Sequence, residues 1–189
     1  SDIEGIFMIW NLFKRKKANQ ALVERQYAEL TGAARSEVFY ETMGVPDTVM
    51  GRFEIISLHL FLYLRRTGTA GEAAKGLAQD LVDAFFEDVD HSIRELGIGD
   101  MGVPKRMKKL AKMFYGRVSS YSQALDAGDR QALAEALRRN IHPESGEDAP
   151  SMQALADWTI ATARSLEDVS DETLAAGGLE FSAADREVM

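Results

Sequence analysis

Apolar positions recur every three to four residues along most of this chain, and no segment of useful length alternates strictly between apolar and polar. That period belongs to α-helices with one buried face. Leu22, Val23, Tyr27 and Leu30 predict a helix over 19–34. Ser36 is placed to cap a short helix through Met43, with Gly44 ending it. Pro46 opens a turn, and Asp47 or Thr48 can cap a long apolar helix over 49–66. Gly68-Thr69-Ala70-Gly71 breaks the pattern. The next helix, about 72–96, gathers Val82, Phe85, Phe86, Val89, Ile93 and Leu96 on one face. Residues 97–104 read as a loop, and Pro104 suits the first turn of a helix over about 104–126. Its buried stripe is Met107, Leu110, Ala111, Phe114, Val118, Tyr121 and Leu125. Asp129 can cap a helix ending near Asn140, and residues 142–150 form a loop. Ser151 can cap a helix through Leu166, anchored by Leu155, Trp158 and Ile160. The last twenty residues are weakly patterned and are expected to be mobile. The fold expected is all-α, an irregular bundle of about six to eight helices.

Length and charge divide the chain further. Its 189 residues make one domain, at most two, and bury roughly 70% of the unfolded surface without help from a metal or disulfide. There is no cysteine, which excludes thiolate zinc sites, iron–sulfur clusters and cysteine nucleophiles. Of the net charge of −8, residues 143–189 carry 11 acidic and 2 basic side chains, so residues 1–142 are nearly neutral. The expected division is an aromatic-basic segment 1–18, a helical body 19–142 and an acidic helical extension 143–189, packed on the body or trailing from it. The acidic extension argues against general nucleic-acid binding. The most apolar stretch, Phe53 to Leu64, is interrupted by Glu54, Ser57 and His59 and falls short of the ~20 residues that span a bilayer. In the segment Ile6 to Lys17, apolar residues precede Lys14, Arg15, Lys16 and Lys17, the wrong order for a signal peptide. It reads either as a contact for an anionic membrane, with Trp10 and Phe13 in the interface, or as a helix docked on the body or a neighbouring chain. Met8 is a candidate natural start, which would make residues 1–7 non-native. The expected location is cytoplasmic, with a peripheral place on the inner membrane as its refinement.

Several patterns invite a chemical reading. Gly97-Ile98-Gly99-Asp100-Met101-Gly102 matches the dinucleotide fingerprint, but a helix and not a strand leads into it, so Gly97 is better explained as a helix C-cap. Lys105 and Arg106, at the start of the helix that follows, leave a weaker anion-binding reading. Asp80, Asp83, Glu87 and Asp90 share one helix face, with His91 one turn beyond Glu87. A di-metal carboxylate site needs a fuller ligand set, so a solvated or salt-bridged face is the better reading. Lys105, Lys108, Lys109 and Lys112 form a basic stripe, with no acid between Asp100 and Asp126. Their mutual repulsion is offset either by the acidic stripe of the preceding helix, which is favoured, or by an external anion such as RNA, lipid head groups or an acidic protein. His59 reads as a hydrogen-bonded core histidine; His91 and His142 read as exposed. There is no G-x-S-x-G, P-loop or H-E-x-x-H, and neither an enzymatic activity nor a cofactor is expected. Aromatics crowd residues 39–121, and Phe85 and Phe86 can both face inward. Tyr115 points away from the buried stripe and Tyr40 is left over in the same way, so both are candidate protein contacts.

The order of certain residues is more specific than any single motif. Phe39-Tyr40, Gly44-Val45-Pro46-Asp47-Thr48, Gly51-Arg52-Phe53, Leu58-His59, Asp83-Ala84-Phe85-Phe86, Asp88, Asp90, Arg94-Glu95, Gly97, Gly99-Asp100, Val103-Pro104-Lys105, Phe114-Tyr115-Gly116-Arg117, Tyr121 and Arg139-Asn140 follow one another. This series resembles the ubiquinol–cytochrome c chaperone family over roughly residues 20–142, and the chain looks like a bacterial member. The resemblance implies a helical, non-enzymatic assembly factor of respiratory complex III. Mitochondrial members work with a small partner near the ribosomal exit and hold newly made cytochrome b. No catalytic residue carries over. Asp47, Arg52, His59, Asp83, Asp90, Arg94 and Arg117 belong to the signature with their role, contact or folding, undecided. The partner-binding candidates are Tyr40, Tyr115, Lys105, Lys108, Lys109 and Lys112. The expected partner is cytochrome b or another complex III subunit, with the ribosome or an anionic membrane surface as further partners. The alternative function is a ribosome- or membrane-binding adaptor that does not hold cytochrome b. A metal enzyme using Asp83, Glu87 and His91 is the third class.

Overall fold

A computed structural model describes residues 19–95 and 102–181. Among them are helices and connecting turns and no strand. Helix α1 covers residues 19–34, followed by α2 (Glu37–Glu41), α3 (Val49–Thr67), α4 (Glu72–Glu95) and α5 (Val103–Asp126). Helix α6 (Arg130–Ile141), a single 3-10 turn (Gly146–Asp148), α7 (Gln153–Glu167) and α8 (Asp171–Ala175) complete the order. Periodicity therefore located the long helices to within a residue or two. The short helix α2 ends at Glu41, not Met43, and Ser36 makes no capping bond there. Asp129 does cap α6, accepting from the Ala132 amide at 2.9 Å.

Helix α3 is the axis of the bundle. Ile55, Leu58, His59, Leu60, Phe61, Leu62 and Tyr63 are buried in succession, so it has no polar face along its middle. A helix that is apolar all round must be surrounded. Helices α4, α5, α6 and α7 all pack on it, α6 bridges α5 and α7, and α8 closes against α4. The start of α3 fixes its direction. Thr48 Oγ1 accepts from the Gly51 amide at 3.1 Å, while Asp47 binds Arg52 at 2.8 Å on the surface. A Cβ on Gly51 would come within 1.9 Å of the Pro46 carbonyl oxygen, so the chain can fold back this tightly only over glycine. Gly44, at φ +75°, turns the chain beforehand, and its carbonyl accepts from His142 Nε2 at 2.7 Å. His142 is thus half-buried and engaged, not exposed as expected.

The expectation of a mobile final stretch fails over residues 171–181. Leu174, Leu179 and Phe181 are buried. The Gln26 side-chain amide both donates to the Leu179 carbonyl (2.9 Å) and accepts from its N–H (3.1 Å). Arg66 reaches the carbonyls of Leu166 and Val169 and the carboxylate of Asp171. Irregular backbone has no period to detect, so these anchors left no mark in the pattern. The segments 1–18, 96–101 and 182–189, which include the aromatic-basic segment and most of the glycine motif, lie outside the described residues.

Candidate functional site

Where the N-terminal half of α3 meets α4 and α5, the packing leaves a groove of about 290 Å³. Phe53 of α3, Phe85, Phe86, Val89 and Ile93 of α4, and Leu110 and Phe114 of α5 line it. Phe85 and Phe86 both face inward, and the Phe114 ring stands 5.9 and 5.8 Å from theirs. These spacings suit edge-on aromatic packing, which gives the groove a rigid wall. Met50 and Met113 stand at its mouth, 60% and 39% exposed. With Val49 and Tyr115 they are the large hydrophobic side chains most open to solvent among the described residues.

Two ion pairs underlie the groove. Arg117 Nε donates to Glu54 at 2.9 Å, and a second contact joins Nη2 to the other carboxylate oxygen. Burial disfavours the Arg117 charge, but the Glu54 carboxylate outweighs burial and holds its pKa above the usual value. Arg106 donates to Asp90 at 2.6 Å, and Arg94 approaches the same carboxylate at 3.3 Å. Hydrogen bonding from Arg106 holds the Asp90 carboxyl below its ordinary pKa despite its burial. Both pairs tie α5 to another helix; of the signature residues Arg117 lines the groove, Asp90 anchors the groove-lining Arg106 from behind, and Arg94 approaches Asp90 from the same helix.

The other signature residues sit elsewhere. Asp47 and Arg52 pair locally beside the cap of α3. His59 is fully buried, with Nδ1 2.8 Å from the Ile55 carbonyl and its ring 5.0 Å from both Trp158 and Phe181. Burial pushes its pKa down to about 4. Asp83 is exposed and accepts from Gln79 at 3.2 Å, while His91 lies 3.1 Å from Glu95. Among the described residues no group of three or more His, Asp or Glu converges to hold a metal ion. No described helix is long and apolar enough to cross a membrane.

The partner-binding candidates separate. Tyr40 is half-buried against Phe39, with its hydroxyl donating to the Ala34 carbonyl at 2.9 Å, away from the groove. Tyr115 is exposed, 5.3 Å from the Phe114 ring. Lys105, Lys108, Lys109 and Lys112 are all exposed, and Lys109 borders the groove. No ion pair joins them to the acidic stripe of α4 among the described residues; only Asp90 of that stripe is paired across, and to Arg106. Burial of Asp90 explains the difference, since its carboxylate turns inward while Asp80, Asp83 and Glu87 stay in solvent. Sequence reasoning missed Met50, Met113 and Glu54, because nothing in a helical period distinguishes a groove lip from a solvated position.

The model of the family described as "Ubiquinol-cytochrome C chaperone" matches residues 41–181. The chain belongs to this family. A curated family relative from Xenopus laevis, "Ubiquinol-cytochrome-c reductase complex assembly factor 1", is 26% identical over 72% of this chain and 68% of its own length. The assembly factor 1 of Homo sapiens is 25% identical over 79% of this chain, which spans half the length of that relative. A solved family structure, the crystal structure of the Cbp3 homolog from Brucella abortus, superposes with a TM-score of 0.84 at 52% identity, covering 94% of this chain and 98% of that one. The family match reaches Phe181 and so includes the irregular stretch that closes the bundle beyond α8.

Proposed function

We propose that this protein is an assembly chaperone of the ubiquinol–cytochrome c reductase complex and holds newly made cytochrome b by an apolar segment laid into the groove between α3, α4 and α5. The observation that carries this reading is the gathering of Met50 and Met113, two of the most exposed hydrophobics described, at the mouth of an aromatic-walled groove. The names of the relatives support the complex III assignment. A membrane protein not yet in its complex exposes apolar side chains that water penalises. A groove of about 290 Å³ takes a few such side chains and releases them again. Methionines at the lips suit a temporary contact, because the thioether chain adapts to different shapes. Groove docking of an apolar helical face is an established recognition mode. Lys109 borders this contact, while Tyr115 lies across the lysine stripe from it; Tyr40 serves the fold. The work takes place on the cytoplasmic face of the inner membrane, and no catalytic step is required.

The test is capture from detergent-solubilised membranes of the native host, with tagged wild type and a Met50→Asp/Met113→Asp variant as baits. Cytochrome b should be enriched on the wild type and lost from the variant, with thermal stability unchanged because both positions are exposed. Equal capture by the two baits would remove the groove from the mechanism. Ribosomal proteins without cytochrome b would replace the chaperone reading with the adaptor.

A further inference from the structure

We infer that the outer face of α5 is a docking surface for an anionic bilayer, which sets the mouth of the groove at the membrane interface. This deepens the membrane-face location proposed above and rests on it, but not on the identity of the client. Successive residues of an α-helix are about 100° apart. On α5 that spacing puts Lys105, Lys108, Lys109 and Lys112 within about a third of the circumference. Met113 follows on the groove side, and Tyr115 lies on the other. Phe114 and Tyr121, opposite the lysines, are buried. The lysine stripe and the groove mouth are therefore one continuous surface, joined at Lys109 and Met113.

Charge complementarity names the occupant. The four ammonium groups have no acidic partner among the described residues, although the chain as a whole is acidic. The described helices of the acidic segment have their main contacts elsewhere: α7 packs on α3 and α6, and α8 packs on α4. A patch of unpaired lysines is attracted to anionic head groups, and the attraction grows with each lysine near the surface. The exposed neighbours Met50 and Met113 decide between lipid and RNA. Aliphatic and thioether side chains gain by entering the interface of a bilayer but gain nothing from a phosphate backbone. Single-stranded RNA would want several stacked aromatics, and among the described aromatic side chains Tyr115 alone is exposed for that role.

Sedimentation of the full chain with vesicles tests this, using phosphatidylcholine with and without phosphatidylglycerol and no client. Wild type should bind the anionic vesicles only, and binding should fall steeply with salt. Reversal of Lys105, Lys108, Lys109 and Lys112 to Glu should weaken it by roughly a hundredfold or more. Met50→Ser/Met113→Ser should weaken it severalfold, with circular dichroism and melting confirming that both variants are folded. A comparison variant reverses Lys14, Arg15, Lys16 and Lys17. If this variant loses binding while the α5 variant keeps it, the membrane contact is real and the α5 surface is wrong. If wild type binds no anionic vesicle, both the surface and the membrane-face location fall; a shift of poly(U) RNA by the α5 lysines in that case would give the stripe to RNA. Cytochrome b capture by the α5 variant is read separately, so neither failure is mistaken for loss of the chaperone.

Discussion

Glu54 and Arg117 stand 63 positions apart and meet beneath the groove. Neither residue advertises this in sequence, where one interrupts an apolar helix and the other follows a glycine. Removing one member of a buried pair leaves the other charged without compensation, which costs about 3–5 kcal/mol. Glu54→Ala should therefore lower stability by an amount in that range, measured by urea unfolding. The Glu54→Leu/Arg117→Met pair should recover most of the loss, because it leaves no orphaned charge. His59 makes a second prediction at this scale. Its Nε2 is buried without a hydrogen-bond partner, within a cage of Phe39, Trp158 and Phe181. Protonation there is disfavoured, so its pKa is about 4 against an ordinary 6.5. The unfolded chain binds a proton that the folded one refuses, so stability is fully present above about pH 6.5 and declines as pH falls toward 4. The decline attributable to this group is about 3 kcal/mol. His59→Phe should flatten that part of the stability profile, and an unchanged slope would assign the acid sensitivity to other groups.

At the scale of elements, the helices follow from local rules and the final stretch does not. The helix from Val103 to Asp126 begins with proline in its first turn and keeps one apolar stripe for its whole length, so its limits could be read from the chain. The stretch after α8 is held by Gln26, by the aromatic cage around His59 and by the burial of Leu179 and Phe181. Each of those contacts crosses more than a hundred residues of sequence. Phe181→Ala should cost about 3–5 kcal/mol, the usual loss for a buried aromatic. An unfolding free energy from urea titration within a few tenths of a kcal/mol of wild type would return the stretch to the status of a loose tail. A lower unfolding slope as well would mean that the variant's tail is already released in the native state.

For the whole molecule, the period of apolar positions determined the fold class and the lengths of the long helices, because burial of one helix face is a local demand. The ordered series of residues resembling the chaperone family was legible too, and with it the kind of work to expect. Part of that signature sits within the fold's own packing: Gly51 under the Pro46 carbonyl, Thr48 as a cap and His59 in the core. The sequence also offered the lysine stripe and Tyr115 as exposed groups, since both lie off the apolar face of one helix. It could not tell that Tyr40 would turn back onto the Ala34 carbonyl, nor that the acidic stripe would leave the lysines unanswered. Those outcomes depend on how neighbouring helices are rotated about their axes. The groove depends on the same thing. Phe53, Phe85, Phe86 and Phe114 are each an ordinary core residue by spacing, and Met50 and Met113 are each an ordinary surface residue. Three successive helices have to converge before a gap opens between them, and how they converge is decided by the packing around α3 and by no local pattern.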